Sequence, residues 1–120
     1  MKLPSTGQLQ NWFAPIFELI DSAGEPVVIK ENIGAGQWTT HTAVKGKPNP
    51  VKIEDLVPGS LARQGDFKII IRANVFPVAR RLENKDRITF RGRDWAVLDD
   101  DANQYAIGGV VYARVLHVRG

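Results

Sequence analysis

The chain contains no cysteine. That excludes disulfides, thiolate nucleophiles and sulfur-based zinc sites, and it suits a reducing compartment. Histidine is nearly absent too: His41 and His117 are the only side chains that would serve as unperturbed bases near neutral pH. Both fall in strand-like segments, and no serine or threonine occupies a nucleophile elbow or a comparable strand-turn-helix context. The expectation is a protein that is not an enzyme and carries no cofactor. The N-terminus, Met1-Lys2-Leu3-Pro4-Ser5-Thr6, runs into polar residues without the apolar core of a signal peptide, and no uninterrupted apolar run is long enough to cross a bilayer. A soluble product of a cytoplasm is expected, with no membrane partner. Internal repeats and low-complexity tracts are also missing.

What remains is ordinary globular composition: 120 residues, 43% hydrophobic and 24% charged. One domain spanning 1–120 with a modest core is expected. Sixteen basic and thirteen acidic residues give a net charge of +3. Residues 1–65 hold six of each sign, whereas residues 66–120 hold ten basic and seven acidic, so the whole excess is C-terminal. Such a mild asymmetry does not by itself predict nucleic-acid binding.

Leu9, Trp12, Phe13, Ile16, Phe17 and Ile20 follow the spacing of one helical stripe, with Ser5 and Gln8 as a capping box and Gly24 as a stop. Pro15 predicts either a kink near Ala14 or a helix that begins close to Pro15. Pro26-Val27-Val28-Ile29-Lys30 and Trp38-Thr39-Thr40-His41-Thr42-Ala43-Val44 read as two strands of a hairpin around Gly34-Ala35-Gly36. From 45 to 65 the periodicity dissolves, which predicts a long contact loop. Phe67 to Arg72 is strand-like, with Ile70 implying burial on both faces. Pro77-Val78-Ala79-Arg80-Arg81-Leu82-Glu83 reads as a short helical link. Arg87-Ile88-Thr89-Phe90-Arg91 and Asp94-Trp95-Ala96-Val97-Leu98 form a second hairpin across Gly92, residues 99–104 a further turn, and 110–118 a long central strand. The fold class is therefore mainly β, with a minor α component: a small barrel or sandwich with an N-terminal helix, a helical link and a long loop.

Two local patterns invite chemistry. Asp99, Asp101 and Asn103 match the first ligand positions of a calcium loop, but Gln104 replaces the required glycine and Val110 the closing glutamate, so a polar turn is the better reading and no metal is expected. Gly34-Ala35-Gly36 leads into a strand where a phosphate cradle needs a helix. Arg80, Arg81, Lys85, Arg87, Arg91 and Arg93 form the one basic concentration, diluted by Asp86 and Asp94. Its default reading is a solvated face, and its functional reading a contact to DNA phosphate or an acidic protein surface. Trp12, Trp38, Phe90, Trp95 and Tyr112 are scattered at core-like positions and do not line one sheet face.

The order of pieces from Ile69 to Arg119 resembles the lambda-type head-tail joining proteins of tailed bacteriophages. Ile71-Arg72, Val78-Ala79-Arg80-Arg81-Leu82, Lys85-Asp86-Arg87-Ile88-Thr89-Phe90, Trp95-Ala96-Val97, Asp99-Asp100-Asp101 and Val118-Arg119-Gly120 carry the likeness. Asn84 departs from the family's frequent glycine. The N-terminal helix, the first two strands and the loop near Lys47-Pro48 extend it upstream. The resemblance implies a virion building block that forms a ring of copies beneath the portal after DNA packaging. Its partners would be portal or adaptor proteins of the head, tail terminator or tail tube proteins, further copies of itself and, non-specifically, packaged DNA. Its place would be the virion, after synthesis in the bacterial host cytoplasm. Contact residues are then expected at Lys45, Lys47, Lys52 and Arg63 around the loop, and at Arg80, Arg81, Arg91 and Arg93. Alanine at the last four should lower assembly without lowering stability. The competing readings are another phage neck or tail-completion protein and a small basic β-barrel module that binds nucleic acid.

Overall fold

The computed structural model describes residues 14–51, 62–78, 80–107 and 109–120. Within them one helix, α1 (Ala14–Ala23), precedes six strands: β1 (Glu25–Gly34), β2 (Gln37–Pro50), β3 (Phe67–Arg72), β4 (Arg87–Phe90), β5 (Arg93–Ile107) and β6 (Val110–Arg119). All neighbours are antiparallel. The order β1-β2-β3-β6-β5-β4 closes into a barrel where Val28, Ile29 and Lys30 pair with Thr89, Ile88 and Arg87. The chain is thus a small β barrel with a helix packed outside it.

Alternation decides what fills the barrel. Val27 and Ile29 of β1, Ile69 and Ile71 of β3, Ile88 and Phe90 of β4, Trp95 and Val97 of β5, and Leu116 and Val118 of β6 share one buried core. These period-two positions point inward, as a small closed barrel requires. Ile70 points the other way and joins Val115 and Ala113 beneath Ile20 of the helix in a second cluster. That is why β3 and β6 are apolar on both faces. Pro15 stands in the first turn of α1, where a missing N–H costs nothing, and Gly24 closes the helix by donating its N–H to the Ile20 carbonyl at 2.9 Å. The stripe residues before Ala14 and the Ser5 cap lie outside the described residues.

Both predicted hairpins form. Gly34, Ala35 and Gly36 turn β1 into β2 with φ of 98°, 53° and 74°. Arg91 and Gly92, at 53° and 77°, turn β4 into β5, which is the pair of left-handed residues a tight hairpin demands.

Three expectations are corrected. Residues 45–50 do not belong to a loop: β2 continues through Pro50, pairing Gly46 to Pro50 with Ile71 to Phe67. The sequence hides this strand because Pro48 and Pro50 interrupt it. β1 begins at Glu25, opposite Gly46, so beyond that point this edge of β2 has no β1 ladder for the prolines to break. Residues 52–61, and Lys52 with them, lie outside the described residues.

The segment 77–83 is not a helix. A single 3-10 turn, Ala73–Val75, precedes it, and the described residues of the link are irregular. Side chains replace the helical ladder: Arg114 donates to the carbonyls of Val78 and Arg80 at 2.6 and 2.9 Å, while the Leu82 and Glu83 amides donate to Asp100 and Asp86 at 2.8 Å. Residues 99–104 are not a turn either. They lie within β5, whose register against β6 shifts between Asp101 and Tyr105, and Gly109 (φ 81°) marks the turn that follows.

Candidate functional site

Three aspartates organise the irregular parts of the molecule, each almost wholly removed from solvent: Asp66, Asp86 and Asp100 are 1%, 0% and 3% exposed. A buried carboxylate survives only where donors surround it. Asp86 accepts from Arg80 through two bonds at 2.9 and 2.6 Å, and from the Asn32 and Glu83 amides. Asp100 accepts from Leu82 N and from Nε and Nη2 of Arg114. The Arg114 guanidinium also lies 3.6 Å from the ring centre of Phe76. Asp66 accepts two bonds from Arg119 at 2.9 Å, lies 2.8 Å from His117 Nε2, and receives the Arg63 amide at 2.9 Å.

Burial works to raise the pKa of Asp66, yet the hydrogen bonds from Arg119, His117 and the Arg63 amide outweigh it and hold the carboxyl below its ordinary value. Asp86 behaves alike: desolvation opposes ionisation, and Arg80 with the Glu83 and Asn32 amides more than offsets it. Arg80 is correspondingly held more firmly protonated by its bonds to Asp86 and Glu31.

These anchors redistribute the basic residues singled out from sequence. Arg80 is a clamp, joining Asp86 to Glu31 of β1 at 2.9 Å. Its expected removal without loss of stability does not fit this geometry. Arg81 pairs with Asp99 on the surface, and Arg91 forks onto Glu25 at 2.8 and 2.6 Å. Lys45 donates to the Asp21 carbonyl at the end of α1, and Lys47 to the Pro48 carbonyl at 3.0 Å. Lys85 approaches Glu83 at 3.7 Å. Arg93 lies over Trp95, 4.5 Å from the ring centre, and Arg63 is exposed on the turn before β3. The seven candidates among the described residues therefore do not converge on one patch. Arg63 and Arg93 alone meet, lining a shared cleft.

His41 is half-buried, 3.3 Å from Glu31, and His117 belongs to the Asp66 cluster. Among the described residues no group of three or more His, Asp or Glu side chains is placed to hold a metal ion, and Asp99 of the calcium-like run is engaged by Arg81. Phe67, Phe90 and Trp95 pack on one another: Phe90 and Trp95 stack at 4.8 Å, and Phe67 meets both edge-on at 5.7 and 5.3 Å.

The register exposes a different candidate surface. β1 pairs with β4 only through Lys30, and β2 pairs with β3 only from Gly46 onward. The tip of the first hairpin therefore extends beyond the barrel, and residues 37–45 of β2 lack a ladder partner on the side away from β1 among the described strands. At the other hairpin β6 pairs with β3 only from Ala113, so Val110 and Val111 pair with β5 alone among the described strands. Antiparallel order places both tips at the same barrel end, the one where β4 begins. Ile33, Trp38 and Val110, on these two arms, are 57%, 44% and 49% exposed. Sequence reasoning located Trp38 in a strand but had no means of seeing that the strand outruns its neighbours.

No protein-family model, curated protein or solved structure matches the chain.

Proposed function

We propose that the protein is a structural component of virion assembly, joining the DNA-filled head of a tailed bacteriophage to the tail as a ring of copies at the neck. The observation that carries this reading is the pair of hairpin arms: among the described residues they leave strand edges at one end of a closed barrel without a ladder partner, and Ile33, Trp38 and Val110 exposed. A free-standing protein normally blunts such edges, because they invite pairing with another chain. Here they offer docking surface for neighbouring copies and for the head or tail proteins on either side, by strand addition or by burial of Ile33, Trp38 and Val110.

The order of sequence motifs between Ile69 and Arg119, which resembles that of lambda-type joining proteins, supports the same role. Portal or adaptor proteins, and tail terminator or tail tube proteins, are the partners this implies, with the virion as its location. Its buried polar groups serve to hold loops, which favours a non-enzymatic role.

The reading as a nucleic-acid-binding barrel is less well supported. Phe67, Phe90 and Trp95 pack together, with Phe90 and Trp95 buried, which leaves them no ring face for bases. Another neck or tail-completion protein would use the same arms and differ in where they dock.

The test uses the arms themselves. Ile33→Ser with Trp38→Ser should leave the unfolding midpoint nearly unchanged and abolish the joining of separately prepared heads and tails in an assembly assay supplied with purified protein. Wild-type joining by the double variant would remove the arms from the docking surface.

A further inference from the structure

A cavity of about 740 Å³ between the link and the β5–β6 bulge has its charges committed: Arg81 to Asp99 and Arg114 to Asp100. The smaller cleft at the opposite barrel end from the arms is different. Its volume is about 410 Å³, and Arg63, Arg93, Arg119, Asp66, Gln64 and Trp95 contribute to its walls.

We propose that this cleft binds a phosphate group carried on a larger organic residue, held between the guanidinium groups of Arg63 and Arg93. This site stands independently of the joining role. Arg119 is spent on Asp66, whose carboxylate is covered and saturated by four donors. Neither Arg63 nor Arg93 forms an ion pair with a carboxylate among the described residues. Three arginine side chains against the single carboxylate of Asp66 leave the cleft with an excess of positive charge.

Both arginines are set in place by the fold. The Arg63 amide is bonded to Asp66 Oδ2 and its carbonyl accepts the Asp66 amide at 3.1 Å, so the turn that presents this side chain is closed twice. Arg93 lies on the Trp95 ring, an arrangement that stabilises the cation through the ring face, and its guanidinium rests beside Gly120 where a Cβ would collide with it. Planar forks of this kind match the oxygens of phosphate. The space exceeds that of a bare phosphate, so a phosphodiester or a mononucleotide is the class of ligand expected.

The experiment is titration of the intact protein with inorganic phosphate, a mononucleotide and a short DNA duplex, followed by NMR of the Trp95 indole and the Arg93 Nε–H. All that bind should do so at these resonances, and Arg63→Gln and Arg93→Gln should each weaken binding at least about tenfold, a loss of about 1.4 kcal/mol. The paired Arg91→Gln should leave affinity unchanged, and the unfolding midpoints of all three should stay near wild type. A duplex that outcompetes the mononucleotide, with affinity falling steeply in salt, identifies the source as a nucleic-acid backbone; the reverse order identifies a free nucleotide, and either supports the site. Absence of binding by all three ligands, unchanged affinity in the two glutamine variants, or tighter binding of a glutamate-rich peptide than of any phosphate would overturn it.

Discussion

Arg80 and Asp86 face each other through two hydrogen bonds, Nη1 to Oδ2 at 2.9 Å and Nη2 to Oδ1 at 2.6 Å, while Arg80 Nε reaches Glu31 of β1 at 2.9 Å. The carboxylate is buried and the arginine side chain is 34% exposed, so the pair lies at the boundary between core and solvent. It fastens the irregular segment before β4 to the root of the first hairpin arm. The residue most conspicuous in the basic run is thereby a structural one.

Removing either partner should therefore be costly. Asp86→Ala leaves the Asn32 and Glu83 amides without their acceptor and Arg80 without its buried partner, and is expected to destabilise by about 3–5 kcal/mol, with Arg80→Ala somewhat less. Arg81→Ala, which loses an exposed pair with Asp99, should cost under about 1 kcal/mol. Urea unfolding of the three variants checks the order, and equal effects of Arg80→Ala and Arg81→Ala would contradict the clamp.

Acid should unfold the protein through the same anchors. Asp66 and Asp86 have folded pKa values below that of the unfolded chain, about 3.9 for an aspartate, so near that pH the unfolded state binds more protons and stability rises with pH. Their contribution is complete above about pH 5 and is lost as pH falls through the unfolded value toward the lower folded ones. Melting temperatures measured from pH 3 to pH 7 should show that slope, and Asp66→Asn should flatten it. An unaltered slope in the variant would assign acid sensitivity elsewhere.

Gly46 is required by contact and not by backbone angle. A Cβ there would stand 2.7 Å from Ile69 Cγ2 and 3.1 Å from Ile71 Cγ1, inside the barrel core. Gly46→Ala is expected to cost about 1–3 kcal/mol by overpacking, read from the unfolding midpoint. A neutral substitution would mean that β2 and β3 separate readily at this point.

Much of this architecture is written in local pattern. Alternation at Val27 and Ile29, at Ile69 and Ile71 and at Leu116 and Val118 marks the inward faces, Ile70 announces a second layer, and the glycines at 34, 36 and 92 mark the turns. The strand at 45–50 was obscured because prolines are ordinarily strand breakers, and the open edge that tolerates them is a property of strand order. The link at 77–83 has helix-like composition, yet Arg114, Asp100 and Asp86 capture its backbone groups from 3 to 36 residues away. Asp100 reads as part of an acidic turn until Arg114, fourteen residues on, is seen beside it. Long-range partners of single polar residues carry no periodic signal, and the candidate surfaces, which depend on which arginines remain uncommitted and which strands outrun their neighbours, share that limitation.

Electron microscopy of lysates from a phage whose copy of this reading frame has been inactivated tests the proposed joining of head to tail by the barrel and its arms. Filled heads and complete tails lying unattached are the predicted result. Intact virions in normal number would contradict it.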